Sequence, residues 1–261
     1  MTRKYIVTGA ASGIGAATFA LLKERGEIVF GIDIHGADIN ADLSTKKGRL
    51  DAAAKSIDIC GGTIDAVIAC AGLVHSIAKT VSVNFFGVSE YLTEILPALT
   101  KSSSPRVAIT SSMASLLPNS SELVDAMLAL DENKAVAIAQ GLVDKGHSEA
   151  SLIYGSTKRA VSRWVRRESI KPEWAGAGIP LNAVGPGIVE TPMVADMIAT
   201  AQARAAIDTM VPMPLNHYLK PRQVAYLLAW LTSLENTHTT GQTIYIDGGS
   251  DAVLRGDDIW S

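Results

Sequence analysis

Two textures of apolar residues alternate along the 261-residue chain. Short, nearly continuous runs rich in β-branched residues predict strands at 4–8 ("KYIVT"), 27–33 ("EIVFGID"), 64–70 ("IDAVIAC"), 106–110 ("RVAIT"), 179–184 ("IPLNAV") and 243–247 ("TIYID"). A short additional strand is predicted at 37–41. Between them, apolar positions recur at helical spacing over 14–25, 79–100, 152–174, 194–210 and 221–234. A run such as "AVIAC" has no polar face, which suits a sheet covered on both sides. Strand and helix in alternation predict the α/β class: one doubly wound domain over 1–261, its parallel sheet flanked by helices on both faces. No linker or repeat interrupts it.

Composition removes several alternatives. Hydrophobic residues make up 48% of the chain, enough for a large core. The net charge of -3 and the lack of a basic run exclude nucleic acid as an expected partner. No apolar stretch nears the roughly 18 residues of a membrane span. The chain enters its first strand without the apolar region of a signal peptide, so a cytoplasmic protein is expected. Cys60 and Cys70 are too few for a disulfide framework, and Cys70 reads as a buried free thiol.

The first predicted strand runs into "TGAASGIG". Its glycines Gly9, Gly13 and Gly15 are spaced G-x-x-x-G-x-G, which is not the strict dinucleotide fingerprint G-x-G-x-x-G. The physics of that fingerprint still holds. Glycines let a backbone turn sharply beside a pyrophosphate, and the helix that follows, with Ser12 and Ile14 at its start, offers free N–H groups and a positive dipole end. A tight turn with no ligand is the plainer alternative. Asp33 ends the second strand 18 residues beyond Gly15 (33 − 15), near the spacing of an acid that binds the adenosine ribose. Its charge would repel a 2′-phosphate by about 4 kcal/mol at about 4 Å and an effective dielectric of 20. Ser12 and Ile34 supply no compensating cation, so NAD is favoured over NADP, in a Rossmann-type domain.

"YGSTK" places Tyr154 and Lys158 one helical turn apart on one face. Such a pair is common by chance. Together with "TGAASGIG", "SS" at Ser111 and Ser112, Asn84 in "VNFFG", "NAVGPGIVETP" at 182–192 and "TGQTIYIDGG" at 240–249, it resembles the short-chain dehydrogenase/reductase family. The motifs stand in family order over residues 8–249. "GIDI", "ADLST", "CAG" and "IDGGSDAVLR" resemble a narrower group, the bacterial 3α-hydroxysteroid dehydrogenase/carbonyl reductases.

The resemblance implies a set of roles. Tyr154 is the general acid/base, Lys158 its electrostatic partner and nicotinamide-ribose ligand, and Ser112 the donor to the substrate oxygen. Asn84 matches a helix position that holds a water linked to the lysine; a polar residue that merely bends the helix is the equal alternative. Asp42 and Leu43 match adenine contacts, and Ala71 and Gly72 lie beside the adenosine ribose. Thr191 faces the carboxamide, with Val189 near it; Pro186 and Gly187 contact the cofactor or only shape a loop. Lowering a phenol from about 10 to near 7 takes about 4 kcal/mol, more than an exposed ion pair supplies, so Lys158 needs a desolvated cleft and a cationic nicotinamide.

The family further implies a homo-oligomer, with dimer and tetramer both open. Two departures stand out. Gly72 to Asn84 is 12 residues and trimmed, whereas Ser112 to Tyr154 is 42 and lengthened. The inserted 119–149 reads as helical, with Leu123, Met127, Leu130, Val136 and Ile138 apolar. It is expected either to reshape the subunit contact or to cover the substrate cleft; a solvent-side excursion is the bland alternative.

Residues 193–219 match the family's substrate loop and carry Met193, Met197, Met210 and Met213, an adaptable apolar lining or simply core. The expected substrate is a hydrophobic secondary alcohol or ketone, a 3α-hydroxysteroid first. A carbonyl reductase for xenobiotic or terpenoid ketones and a non-catalytic dinucleotide-binding regulator are the alternatives. The histidines make no metal-ligand spacing, and no metal is expected.

Overall fold

The computed structural model describes residues 2–259. In chain order the elements are β1 (Lys4–Thr8), α1 (Gly13–Glu24), β2 (Ile28–Asp33), β3 (Ile39–Asn40), α2 (Lys46–Ile59), β4 (Ala66–Ala69), α3 (Lys79–Val81), a π-helical segment (Ser82–Phe86) and α4 (Gly87–Leu99). There follow β5 (Arg106–Thr110), α5 (Ser121–Leu128), α6 (Glu132–Lys145), α7 (His147–Ala150), α8 (Leu152–Glu168), β6 (Leu181–Pro186), α9 (Ala201–Met210), α10 (Pro221–Leu231), β7 (Thr243–Ile246) and α11 (Ser250–Arg255). The seven strands form one parallel sheet in the order β3-β2-β1-β4-β5-β6-β7. The strand order reverses between β1 and β4, and a crevice opens there at the strands' carboxyl ends.

Alternate residues of each strand feed two cores, as the period of two requires. Ile6, Val67, Val107, Ile109 and Leu181 join Tyr91, Ile95, Val161 and Val165 beneath α2, α4 and α8. Tyr5, Val7, Ala66, Ile68 and Ala108 join Leu21, Leu22, Val224 and Leu228 beneath α1 and α10.

Several boundaries differ from the sequence reading, each for a local reason. The helix begun at Leu152 stops at Glu168; Pro172 cannot continue it, and the chain folds back so that Trp174 meets Trp164 edge to face at 6.1 Å. The expected 194–210 helix is two 3-10 turns followed by α9, because Thr200 adopts an extended conformation and caps the new helix by accepting from the Ala203 amide at 3.1 Å. The predicted strands shift at their ends, β6 taking in Gly185 and Pro186 to pair with β7. Two helices lie outside the expected set. In α2 the buried positions are Arg49, Ala52, Ala53 and Ser56, so it shows no large apolar stripe. The other, α11, is only one and a half turns long.

The insertion is helical and packs closely. Leu123, Val124 and Met127 of α5 and Ala135, Ala139 and Leu142 of α6 are buried in the core shared with α4 and α8. From α6, Ala135, Ala139 and Leu142 are buried and Ile138 packs against them half-buried, while Val136 is not part of that core. Leu130, expected to be part of the apolar face, is exposed and sits at φ 58° just after α5. No helix among the described residues is long and apolar enough to cross a membrane.

Candidate active site

At the carboxyl ends of β1, β2, β4, β5 and β6 lies a cleft of about 370 Å³. Its walls include Gly9, Ser12, Gly13, Ile14, Gly15, Asp33, Asp42, Leu43, Ala71 and Gly72 at one end. At the other are Ser112, Tyr154, Lys158, Pro186, Gly187, Val189 and Thr191. One crevice, whose lining runs from Gly9 to Val194, thus gathers residues separated by as many as 185 positions (194 − 9).

The glycine turn is built for close approach. Gly9 has φ +69°, and a Cβ there would stand 2.8 Å from the Ala71 nitrogen. At Gly15 a Cβ would stand 2.0 Å from the Gly9 carbonyl oxygen, an impossible contact. The Thr8 hydroxyl accepts from the Cys70 and Ala71 amides at 3.1 and 3.0 Å, tying the turn after β1 to the one after β4. Ser12, which precedes α1, makes no side-chain cap, and no acid occupies the helix's first turn. The uncapped N–H groups and positive dipole end therefore face the cleft, the electrostatics a pyrophosphate needs.

Beside this turn, Asp33 accepts from the Ala11 amide at 2.9 Å and the Ile34 amide at 2.7 Å. Each of its oxygens keeps a further lone pair for a ribose hydroxyl. Asp42 accepts from the Ser44 amide at 2.9 Å and pairs with Lys79 at 3.3 Å. Hydrogen bonding from Ser44, helped by Lys79, holds its carboxyl below the usual range. A dinucleotide fits this half of the cleft: glycine-bared backbone, free helix amides, a carboxylate at the β2 end, and Leu43 as an apolar wall.

In the other half, the turn after β5 separates two adjacent serines. Ser111 is buried and bonds the Lys158 carbonyl at 3.1 Å and the Ser162 hydroxyl at 2.9 Å, fastening β5 to α8. Ser112 accepts from the Ala114 amide at 3.1 Å and turns its hydroxyl to Tyr154. Lys158 Nζ donates to the Thr110 carbonyl at 2.9 Å and lies 5.8 Å from the centre of the Tyr154 ring. Burial raises the Tyr154 hydroxyl above its ordinary value, which the Ser112 hydrogen bond opposes; burial lowers the Lys158 ammonium to about 8. Desolvation thus acts on both groups in the direction of neutrality.

Known proteins match the chain over nearly its whole length. The family model described as enoyl-(acyl carrier protein) reductase matches residues 9–251. A 3-alpha-hydroxysteroid dehydrogenase/carbonyl reductase of Comamonas testosteroni is 36% identical over 255 residues, covering 96% of this chain and 97% of the relative. The chain belongs to the short-chain dehydrogenase/reductase family. It is therefore an oxidoreductase. A cis-4-hydroxycyclohexanecarboxylate dehydrogenase of Sinomonas cyclohexanicum is 30% identical, with 96% and 97% of the two chains covered. Among solved structures, the 3-alpha-hydroxysteroid dehydrogenase of Pseudomonas sp. B-0831, complexed with NADH, superposes with a TM-score of 0.88 at 38% identity, over 98% of this chain and 100% of that one.

In this short-chain dehydrogenase/reductase, Asn84 stands apart from the other anticipated residues. It does not line the cleft. From the π-helical segment its amide donates to the Leu73 carbonyl at 2.9 Å and the Thr157 hydroxyl at 3.1 Å, and its oxygen accepts from the Leu73 amide at 2.7 Å. It lies behind Gly72, whose Cβ, if present, would be 3.4 Å from Asn84 Oδ1 and 3.6 Å from Lys158 Nζ. The side chain is a brace for the β4 turn, and the local helix distortion is real.

Thr110, Thr157 and Lys79 escape a reading of the sequence. Thr157 lies inside "YGSTK", where nothing local distinguishes it from filler. Cys70 does line the cleft, but it is half-buried, its thiol accepts from Thr110 at 3.2 Å, and desolvation pushes it up to about 11, so it stays protonated. Met193 reaches the cleft; Met197 and Met210 are exposed, and Met213 packs in the core under Gly187 and Gly248. No described residue of 119–149 lines the cleft, so the insertion does not cover it. Among the described residues no cluster of His, Cys, Asp and Glu is placed to hold a metal.

Proposed function

We propose that this chain is an NAD-dependent dehydrogenase that interconverts a hydrophobic secondary alcohol, first a 3α-hydroxysteroid, and its ketone. The observation that carries this is the meeting of Ser112, Tyr154 and Lys158 in the same crevice as the glycine turn. The similarity to relatives named for hydroxysteroids and a hydroxycyclohexane acid supports a cyclic alcohol.

Bound in the cleft, the nicotinamide supplies hydride transfer and, when oxidised, a positive charge. The protein supplies the proton chemistry. In oxidation the Tyr154 phenolate takes the alcohol's proton, and in reduction the phenol returns it. Ser112 donates its hydroxyl hydrogen to the substrate oxygen, fixing that oxygen beside Tyr154 and stabilising its developing charge. Lys158 raises the phenolate fraction. An ammonium about 6 Å away contributes about 3 kcal/mol at an effective dielectric of 20, and bringing the phenol to pH 7 takes about 4 kcal/mol. Burial of the pair adds to what is needed, because it raises the phenol, so Lys158 acts together with the Ser112 hydrogen bond and the positive charge of an oxidised nicotinamide. Asp33 selects the cofactor with an unphosphorylated 2′-hydroxyl.

The test is a spectrophotometric assay of NADH formation from 3α-hydroxysteroids and cyclic alcohols, with Tyr154→Phe as the control. The variant is expected to lose about 10²- to 10⁴-fold in turnover while binding NADH as the unaltered chain does. Undiminished turnover would falsify the assignment.

A further inference from the structure

Arg49 is among the largest fully buried side chains, and it lies on α2 away from the Ser112–Tyr154–Lys158 set. Three groups surround its guanidinium. Nε donates to Glu90 of α4 at 2.8 Å. Nη1 and Nη2 form a fork on Glu132 at the first position of α6, at 3.2 and 2.5 Å. Nη1 also donates to the Leu43 carbonyl at 3.2 Å. The planar fork is a geometry that lysine cannot reproduce.

Leu43 is part of the cleft wall, next to Asp42. One buried cation therefore joins the inserted helix α6 to the segment that forms one end of the cleft. Among the described residues no other salt bridge links the insertion to that wall: Asp42 pairs with Lys79 and the Ser44 amide, and Glu90 meets Arg49 from the α4 side. Both carboxylates are partly exposed, at 33% and 25%, while the guanidinium is wholly inside. Removing one carboxylate loosens the guanidinium without leaving it unpaired.

We infer that Arg49 is a positioning residue for the adenosine half of the cofactor, and that Glu132 makes the 119–149 insertion part of the dinucleotide-binding machinery. This rests on the cofactor reading above. The insertion sets Arg49, Arg49 holds the Leu43 carbonyl, and Leu43 offers its side chain to the adenine. The coupling is reciprocal: ligand seated on Leu43 must tighten the Glu132 end of α6 by the same free energy.

The decisive variant is Glu132→Gln, which keeps the side chain's shape and leaves the Asp131 cap of α6 in place. Dissociation constants for NADH, from its fluorescence, and for AMP, by competition, are expected to rise together by roughly tenfold, with turnover at saturating NADH within about twofold. A general loosening of the fold would lower turnover as well. Unchanged affinity for both ligands, or reduced turnover with affinity kept, overturns the inference. If the variant does not fold, hydrogen exchange on the unaltered chain gives the answer. ADP-ribose is expected to protect residues 131–136 along with 41–50; protection confined to 41–50 overturns it. An unaltered chain that binds neither NADH nor AMP removes the cofactor reading itself.

Discussion

Lys158 holds its ammonium 5.8 Å from the centre of the Tyr154 ring while donating to the Thr110 carbonyl at 2.9 Å. The carbonyl at the end of β5 fixes where that charge stands, at a set position beside the phenol ring. Both side chains pay in desolvation. Lys158 is 5% exposed and its ammonium is lowered to about 8. A cation buried in this way makes the folded chain less stable.

That cost has a pH signature. The lysine titrates near 8 when folded and near its ordinary 10.5 when unfolded. Below pH 8 the folded chain carries a buried charge that the unfolded chain solvates freely, and the penalty is complete. Between 8 and 10.5 the unfolded chain binds more protons than the folded one, so this group makes stability rise with pH, by up to about 3 kcal/mol. Lys158→Met should flatten that rise. The offset at pH 7 is a poorer readout, because the orphaned Thr110 carbonyl costs about 1–3 kcal/mol in the variant. Urea denaturation at several pH values across this window measures the slope, and an unaltered slope refutes the assignment.

The turn and the insertion offer opposite tests of glycine. At Gly15 a methyl would strike the Gly9 carbonyl, so Gly15→Ala is expected to cost about 3 kcal/mol or more and to abolish NADH binding. Gly141 lies within α6, and a methyl added to it would have no neighbour within 4 Å, so Gly141→Ala should stabilise the chain by about 0.5–1 kcal/mol. Thermal melts and NADH titration of the two variants check both signs.

The sequence made the sheet and the cleft legible because their signals are local. All seven strands were legible, β3 within the short segment at 37–41, and Gly9, Gly15, Asp33 and the Tyr154–Lys158 pair sit at fixed offsets from them. What it hid was either polar or distant. α2 faces inward with Arg49 and alanines, which leaves no apolar period to read. The partners of Asn84 are Leu73 and Thr157, 11 and 73 positions away, and only the folded chain shows that they occupy its amide. Asp33 could be singled out because the glycine turn predicts its position. Arg49 had no such anchor.

The proposed preference for NAD over NADP predicts an effect at Asp33. Its carboxylate lies at the end of β2, held by two backbone amides. A 2′-phosphate about 4 Å away would meet repulsion of about 4 kcal/mol, or roughly a thousandfold. Asp33→Ala is expected to weaken NAD use by losing the ribose hydrogen bonds and to improve NADP use by losing the repulsion. The ratio of kcat/KM for the two cofactors should fall by roughly 10²-fold or more. A ratio that holds steady shows that selection lies elsewhere.

The insertion contributes to the core and leaves the substrate end of the cleft untouched. Leu123 and Met127 are fully buried in the core that also holds Ile153, Val161 and Trp164 of α8. Met127→Ala should therefore cost about 2–5 kcal/mol of stability with the substrate KM unchanged, as denaturation and steady-state kinetics can establish side by side. Deleting 120–148 is a harsher version of the same experiment. It strips the cover from α8, removes Glu132 from Arg49, and is expected to give aggregated protein. A soluble deletion variant with native stability would mean that these buried contacts contribute nothing, and that the helices are the solvent-side excursion the sequence alone allowed.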